Sequence, residues 1–167
     1  MSLYLFSVWL HVAAATAWIG SMLFFAFVVV PAMRVPEAAA GAHALLVALG
    51  RRYRVFGWSS LAVLFVTGVA NLFLRGIGWS LLASRAFWSS DFGRALGIKL
   101  AVVALVIAAT TAHDVWTGTD AAKAARANRG SPAARGYRRR ASLLGRSTLV
   151  LSLIALFFAV TLVRGAP

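Results

Sequence analysis

The chain has no cysteine. That excludes a disulfide, a thiolate metal site and a haem attached through cysteine. Acidic residues are scarce, 4 against 17 lysines and arginines, for a net charge of +13. In a soluble protein such a balance would point to nucleic acid. Here the cations fall between long apolar runs, so anionic lipid headgroups are the expected partner and nucleic acid is not. Beyond the initiating residue the only methionines are Met22 and Met33, a thin supply of the soft sulfur that copper(I) prefers. No nucleophile triad, phosphate-binding loop or His–Glu metal motif is present, and Gly76-Ile77-Gly78 reads as a turn. No Lys, Arg, Asp or Glu occurs before Arg34. Without a basic segment ahead of it, the first apolar run is expected to be a retained helix rather than a signal peptide.

What the chain has is apolar length. It is 61% hydrophobic over 167 residues, with a mean hydropathy of +0.83. A span needs roughly 20 apolar residues, so about four fit. The expected fold is an all-α integral membrane protein, a single domain of four transmembrane helices over about 3–30, 55–74, 94–115 and 147–163. Pro31 marks the end of helix 1. The stretch 36–49 is helix-prone but too short to span. It is expected as a short interfacial helix before helix 2, or as a backward extension of helix 2. The 76–93 connection, with Trp79, Phe87, Trp88 and Phe92, suits an aromatic belt. The segment Lys123–Arg146, with Asn128, Gly130, Ser131 and Pro132 as breakers, reads as a polar, basic loop. Helices 1–2 and 3–4 could form two weakly related hairpins.

Orientation follows from the cations. The 1–2 connection carries Arg34, Arg51, Arg52 and Arg54, and the 3–4 connection carries eight. The 2–3 connection has only Arg75, Arg85 and Arg94. Positive residues favour the cytoplasm. The expected arrangement is a multi-pass protein of the cell inner membrane, with both termini outside and the basic loops inside.

One ionisable residue breaks the first run. His11 lies in Leu10-His11-Val12-Ala13-Ala14-Ala15-Thr16-Ala17-Trp18-Ile19-Gly20. An imidazole placed there costs free energy unless something binds it, so it marks a candidate site. His11, Ala14, Ala15, Trp18 and Met22 share one helical face, read as the packed face. On helix 2, Ser60, Thr67 and Asn71 share a face, and Gly68 favours close packing. Helix 3 carries Lys99 near its start and His113 near its end.

Depth sorts these residues. At about 1.5 Å per residue, His11 sits about 9 Å below the outer boundary, Lys99 about 5–8 Å and Asn71 about 6 Å. His113 sits about 25 Å down, where it is simplest as an interfacial pair with Asp114. His43 is simplest as a headgroup-level residue, with an inner site of His43 and His113 as the lesser reading. Neutral imidazole is a good ligand for haem iron, and a neutral amine can serve as a ligand or a base. Arg75, Arg85 and Arg94 could meet haem propionates, while Asn71 and Thr67 could orient a ligand. The alternative is a copper ion at His11 with Met22 in support.

Leu10-His11…Ala17-Trp18-Ile19-Gly20, Arg51-Arg52-Tyr53-Arg54…Thr67-Gly68 and Gly97-Ile98-Lys99-Leu100 resemble the copper-resistance D (CopD) membrane domain. More distantly they resemble the HemJ-type membrane protoporphyrinogen oxidase. The resemblance spans most of helices 1 to 3. HemJ-type proteins are four-helix haem b proteins that use a first-helix His and a third-helix Lys, positions that fall on His11 and Lys99. CopD proteins are associated with copper movement across the inner membrane. The Tyr- and Arg-rich end of the HemJ first helix is here Phe27-Val28-Val29-Val30-Pro31, a departure that bears on the oxidase activity and not on haem binding. The resemblance therefore implies a haem b-binding redox protein, a membrane oxidoreductase acting with a redox partner or a second copy of itself, with copper transport or resistance as the alternative.

Overall fold

A computed structural model describes residues 2–32, 39–118 and 131–164. Every element among them is helical. Helix α1 covers Leu3–Phe24, α2 Ala39–Leu74, α3 Trp79–Leu82, α4 Arg85–Ser89, α5 Asp91–Gly118 and α6 Pro132–Arg164. Four of these are long and apolar enough to cross a membrane: α1 with its continuation to Ala32, α2, α5 and α6. The protein is an all-α integral membrane protein. Large apolar side chains point outward along all four, Phe27 being 73% and Val163 77% exposed. Such surface suits lipid rather than water.

Helix α1 starts where Ser2 caps it, its Oγ accepting from the Leu5 N–H at 3.3 Å. Its end is shaped by Pro31. That residue has no N–H to give, and its ring crowds the carbonyl four residues back. Over Phe25–Val29 the helix widens to a π turn, with the Val30 N–H closing on the Phe25 carbonyl, and a last turn runs Val30–Ala32.

Two expectations need correction. The stretch before helix 2 is no separate interfacial helix, for α2 is continuous from Ala39 to Leu74. Its Ala- and Leu-rich sequence has strong helix propensity and no proline, and its glycines do not interrupt it, so the helix runs on past the arginines. The segment read as a basic loop is helical from Pro132 onward, and only its first part lies outside the described residues. Ser131 and Pro132 begin this helix instead of breaking a chain. The Ser131 Oγ accepts from the Ala134 N–H at 3.1 Å, and proline is at ease in a first turn, where its missing donor is not needed. Helix α6 is thus 33 residues long, about 50 Å against roughly 30 Å of hydrocarbon.

The chain divides into two compact units, residues 1–83 and 84–167. In the first, α1 packs on α2; in the second, α5 packs on α6 and on α4. The second unit buries Leu96, Val106, Ala134, Thr148, Ser152 and Leu162. Its buried hydroxyls are satisfied within their own helix: Thr148 donates to the Leu144 carbonyl and Ser152 to that of Thr148. At one end Trp116 stacks on Tyr137, and the Arg140 guanidinium lies 5.5 Å from the Trp116 ring centre.

Candidate functional site

The site is built on the seam between α1 and α2. Three contacts fix its register. The Phe25 and Tyr53 rings meet at 4.6 Å. Trp18 lies over Gly57, where a Cβ would come within 2.9 Å of its ring. His11 meets Thr67, Nδ1 to Oγ1, at 2.8 Å. Rising numbers on α1 match falling numbers on α2, so the helices are antiparallel. The buried α1 positions are Ser7, Ala14, Trp18 and Met22, the face that the spacing of four and three residues marks out. Across from them Ser60, Leu61 and Thr67 are buried. The His11 ring also lies over Gly68, whose absent Cβ would sit 3.4 Å from Cε1. Glycine there leaves room for the imidazole beside the helix.

The hydrogen bonds fix the role of Nδ1. Thr67 has one hydroxyl proton, and the carbonyl of Val63 takes it at 2.6 Å. Thr67 Oγ1 is therefore left to accept, and the donor is His11 Nδ1–H. A neutral imidazole protonated at Nδ1 carries its lone pair on Nε2, the form that ligates a metal. Thr67 thus acts on the ring rather than donating to a ligand.

One turn along each helix from this pair stand Ser7 and Asn71. Ser7 is 6% exposed. Among the described residues neither its Oγ nor the Asn71 Oδ1 has a hydrogen-bond partner, although both atoms are buried. Sequence reasoning missed Ser7. The signal was its place four residues before His11, on the same face.

The remaining candidates are dispersed. Arg75 is exposed just beyond α2, its N–H closing on the Asn71 carbonyl at 3.2 Å. Arg85 is exposed on α4. Arg94 is already engaged, its guanidinium paired with Asp91 and donating to the Ser89 carbonyl at 3.1 Å. Lys99 is half-buried on α5 and belongs to the second unit. His113 lies 3.7 Å from the Asp114 carboxylate, at the end of α5. Met22 is eleven residues from His11 on one helix, about 16 Å along the axis, too far to share an ion with it. His43 lies on α2, with its side chain outside the described residues. Among the described residues no group of three or more His, Cys, Asp or Glu could hold a metal ion.

A protein of Aquifex aeolicus (strain VF5) is 30% identical over 157 residues, 93% of this chain and 92% of its own length. The chain belongs to the same family. That relative bears the name "Uncharacterized protein". The shared extent takes in both units and all four long helices, so the family is defined over the whole arrangement. No family model matches the chain, and no solved structure matches it.

Proposed function

We propose that this chain is a haem b-binding redox protein of the inner membrane, resembling CopD and HemJ-type proteins, with His11 as the residue that would ligate the iron. The observation that carries the reading is the Val63–Thr67–His11 relay, which holds Nδ1 of the imidazole on Thr67 and so orients the ring. A bare metal ion takes three or four protein ligands, whereas haem brings four nitrogens of its own and asks the protein for one or two. A histidine oriented by Thr67 against Gly68, with no group of three or more such ligands among the described residues, suits the second case, and this favours haem over copper. Bound haem b would supply one-electron chemistry at its iron. The chain's own part is to present Nε2, to hold the ring against Gly68 and to keep bulk water away. The HemJ resemblance names Lys99 as the second ligand. Membrane lipids surround the spans, and a membrane redox partner would exchange the electrons.

The cheapest test is a spectrum. Protein purified in mild detergent from cells that make haem b should show a Soret band. Lys99→Met should keep the haem but shift its spectrum, since a thioether can take an axial position. A colourless protein, with copper bound in its place and altered copper tolerance in cells lacking it, would select the copper reading.

The proposed orientation places both termini outside, on the twelve-to-three excess of Lys and Arg in the 1–2 and 3–4 connections over the 2–3 connection. A phosphatase reporter fused after Pro167 should be active on the outer side of the inner membrane. A fusion active only in the cytoplasm would reverse the orientation.

A further inference from the structure

We infer that the face of α2 carrying Arg51 and Arg52 binds an anionic phospholipid, the two guanidiniums taking its headgroup phosphate and Val55 and Phe56 its acyl chain; the inference is independent of the haem reading. Ala48, Arg51, Arg52, Val55, Phe56 and Ser59 line an open groove of about 710 Å³, a volume in the range of ligand sites. Steps of three and four residues put all six on one face of the helix. That face turns away from α1. It is Tyr53 and Gly57 that meet Phe25 and Trp18 of α1. Gly57 stands two residues from both Val55 and Ser59, roughly the opposite side of the helix at 3.6 residues per turn. Both arginines are exposed, and so are Val55, at 65%, and Phe56. The described carboxylates are engaged elsewhere, Asp91 with Arg94 and Asp114 with His113.

The order of side chains along the groove matches a phospholipid. The apolar span of α2 runs Ala48–Leu74. Leu74 stands twenty-two residues beyond Arg52, about 33 Å along the axis against roughly 30 Å of hydrocarbon. The guanidiniums therefore lie at headgroup level, at one end of the span. Val55 and Phe56 follow one turn deeper, among the acyl chains. A guanidinium presents paired N–H donors that match phosphate oxygens, and basic sites at the ends of membrane helices take the headgroups of acidic lipids. Free phosphate would use the arginines alone and leave the apolar half of the groove bare. The apolar half thus selects a lipid over a soluble anion, and the two cations select an acidic headgroup over a zwitterionic one.

The test compares phosphatidylglycerol with phosphatidylcholine of the same acyl chains. Each is titrated into the full chain, purified in mild detergent and washed free of lipid, and bound lipid is counted by native mass spectrometry. Wild type should prefer phosphatidylglycerol at least about tenfold, the worth of two cations at a lipid headgroup. The Arg51→Gln, Arg52→Gln double variant should lose that preference while phosphatidylcholine binding barely moves. Val55→Ala with Phe56→Ala should weaken both lipids alike. Arg135→Gln with Arg139→Gln takes the same charge from exposed positions on α6 and should leave the preference intact. All six positions are exposed, so each variant should fold as wild type does. Excess inorganic phosphate should not displace the lipid. No preference in wild type, or equal loss of it in the two arginine variants, would overturn the inference in favour of a diffuse effect of net charge. Displacement by phosphate would overturn it in favour of a soluble anion. A change of subunit number in Arg51→Gln, Arg52→Gln would overturn it in favour of an interface between copies. None of these outcomes touches His11, so the haem reading stands or falls on its own spectrum.

Discussion

His11→Ala should purify with almost no Soret absorbance, at wild-type yield and helix content. The substitution removes the imidazole that Thr67 holds on the α1–α2 seam, the proposed ligand of the iron. Haem per protein, measured as the pyridine haemochrome, should fall to the background of nonspecific binding. Thr67→Val gives the graded counterpart. It keeps the side-chain shape but removes the acceptor that fixes the proton on Nδ1. Loss of such a supporting partner costs about 10–100-fold in ligand affinity, so haem should be retained at high concentration and lost on dilution. His113→Ala should change nothing, since that residue sits beside Asp114 in the other unit. Full haem with an unchanged spectrum in His11→Ala would make His11 a packed, hydrogen-bonded residue and no more.

Gly93→Ala should destabilise the protein far more than its size implies. Gly93 lies in the first turn of α5, where the chain arrives from α4, and a Cβ there would fall 1.9 Å from the Phe87 carbonyl oxygen and 2.9 Å from the Trp88 Cα. Both are backbone atoms, so no side chain can rotate away. The turn would have to open, and with it the cap in which Ser90 Oγ accepts from the Gly93 N–H at 3.1 Å. Overpacking of this kind costs about 3 kcal/mol, or roughly 5–10 °C in the apparent Tm of a chain this long. Gly97→Ala is the internal control. Its Cβ would meet the Trp88 ring at 3.6 Å, an ordinary contact, and helix propensity favours alanine there. If the two variants melt together, the close approach at Gly93 is not a constraint on the fold.

The spans and the packed face of α1 were legible because hydropathy and the step of three or four residues report directly on lipid and on helix contact. His11 was legible because an ionisable group in a long apolar run stands out. Its partner was not. Depth counted from the helix ends put Lys99 and Asn71 near the level of His11, yet the contact on α2 goes to Thr67, one turn from Asn71. The register is set by Trp18 settling over Gly57 and by the imidazole over Gly68, and helix ends carry no trace of that packing. Ser7 escaped notice because a small hydroxyl leaves no mark on hydropathy. The early start of α6 was hidden for the opposite reason. Its arginines lower the hydropathy, which measures the bilayer and not the helix, while Ser131-Pro132 is a helix-opening signal that also resembles a turn. Likewise Ser90 and Asp91, a cap and an acidic first-turn residue, begin α5 ahead of the apolar run that first draws attention.

The placement of Trp18 has one more consequence. Ser7, His11, Thr67 and Asn71 occupy one end of the α1–α2 seam, and Ser21 and Tyr53, which share a hydrogen bond, occupy the other. Between them lie Ala14, Trp18 and Leu61, all buried, with the indole pressed on Gly57. Ser60, beside them, turns its hydroxyl back to the Phe56 carbonyl of its own helix. The seam thus carries two polar clusters held apart by an indole-packed apolar middle, so a substitution in the cluster at His11 should leave the contact of Ser21 with Tyr53 at the other end in place.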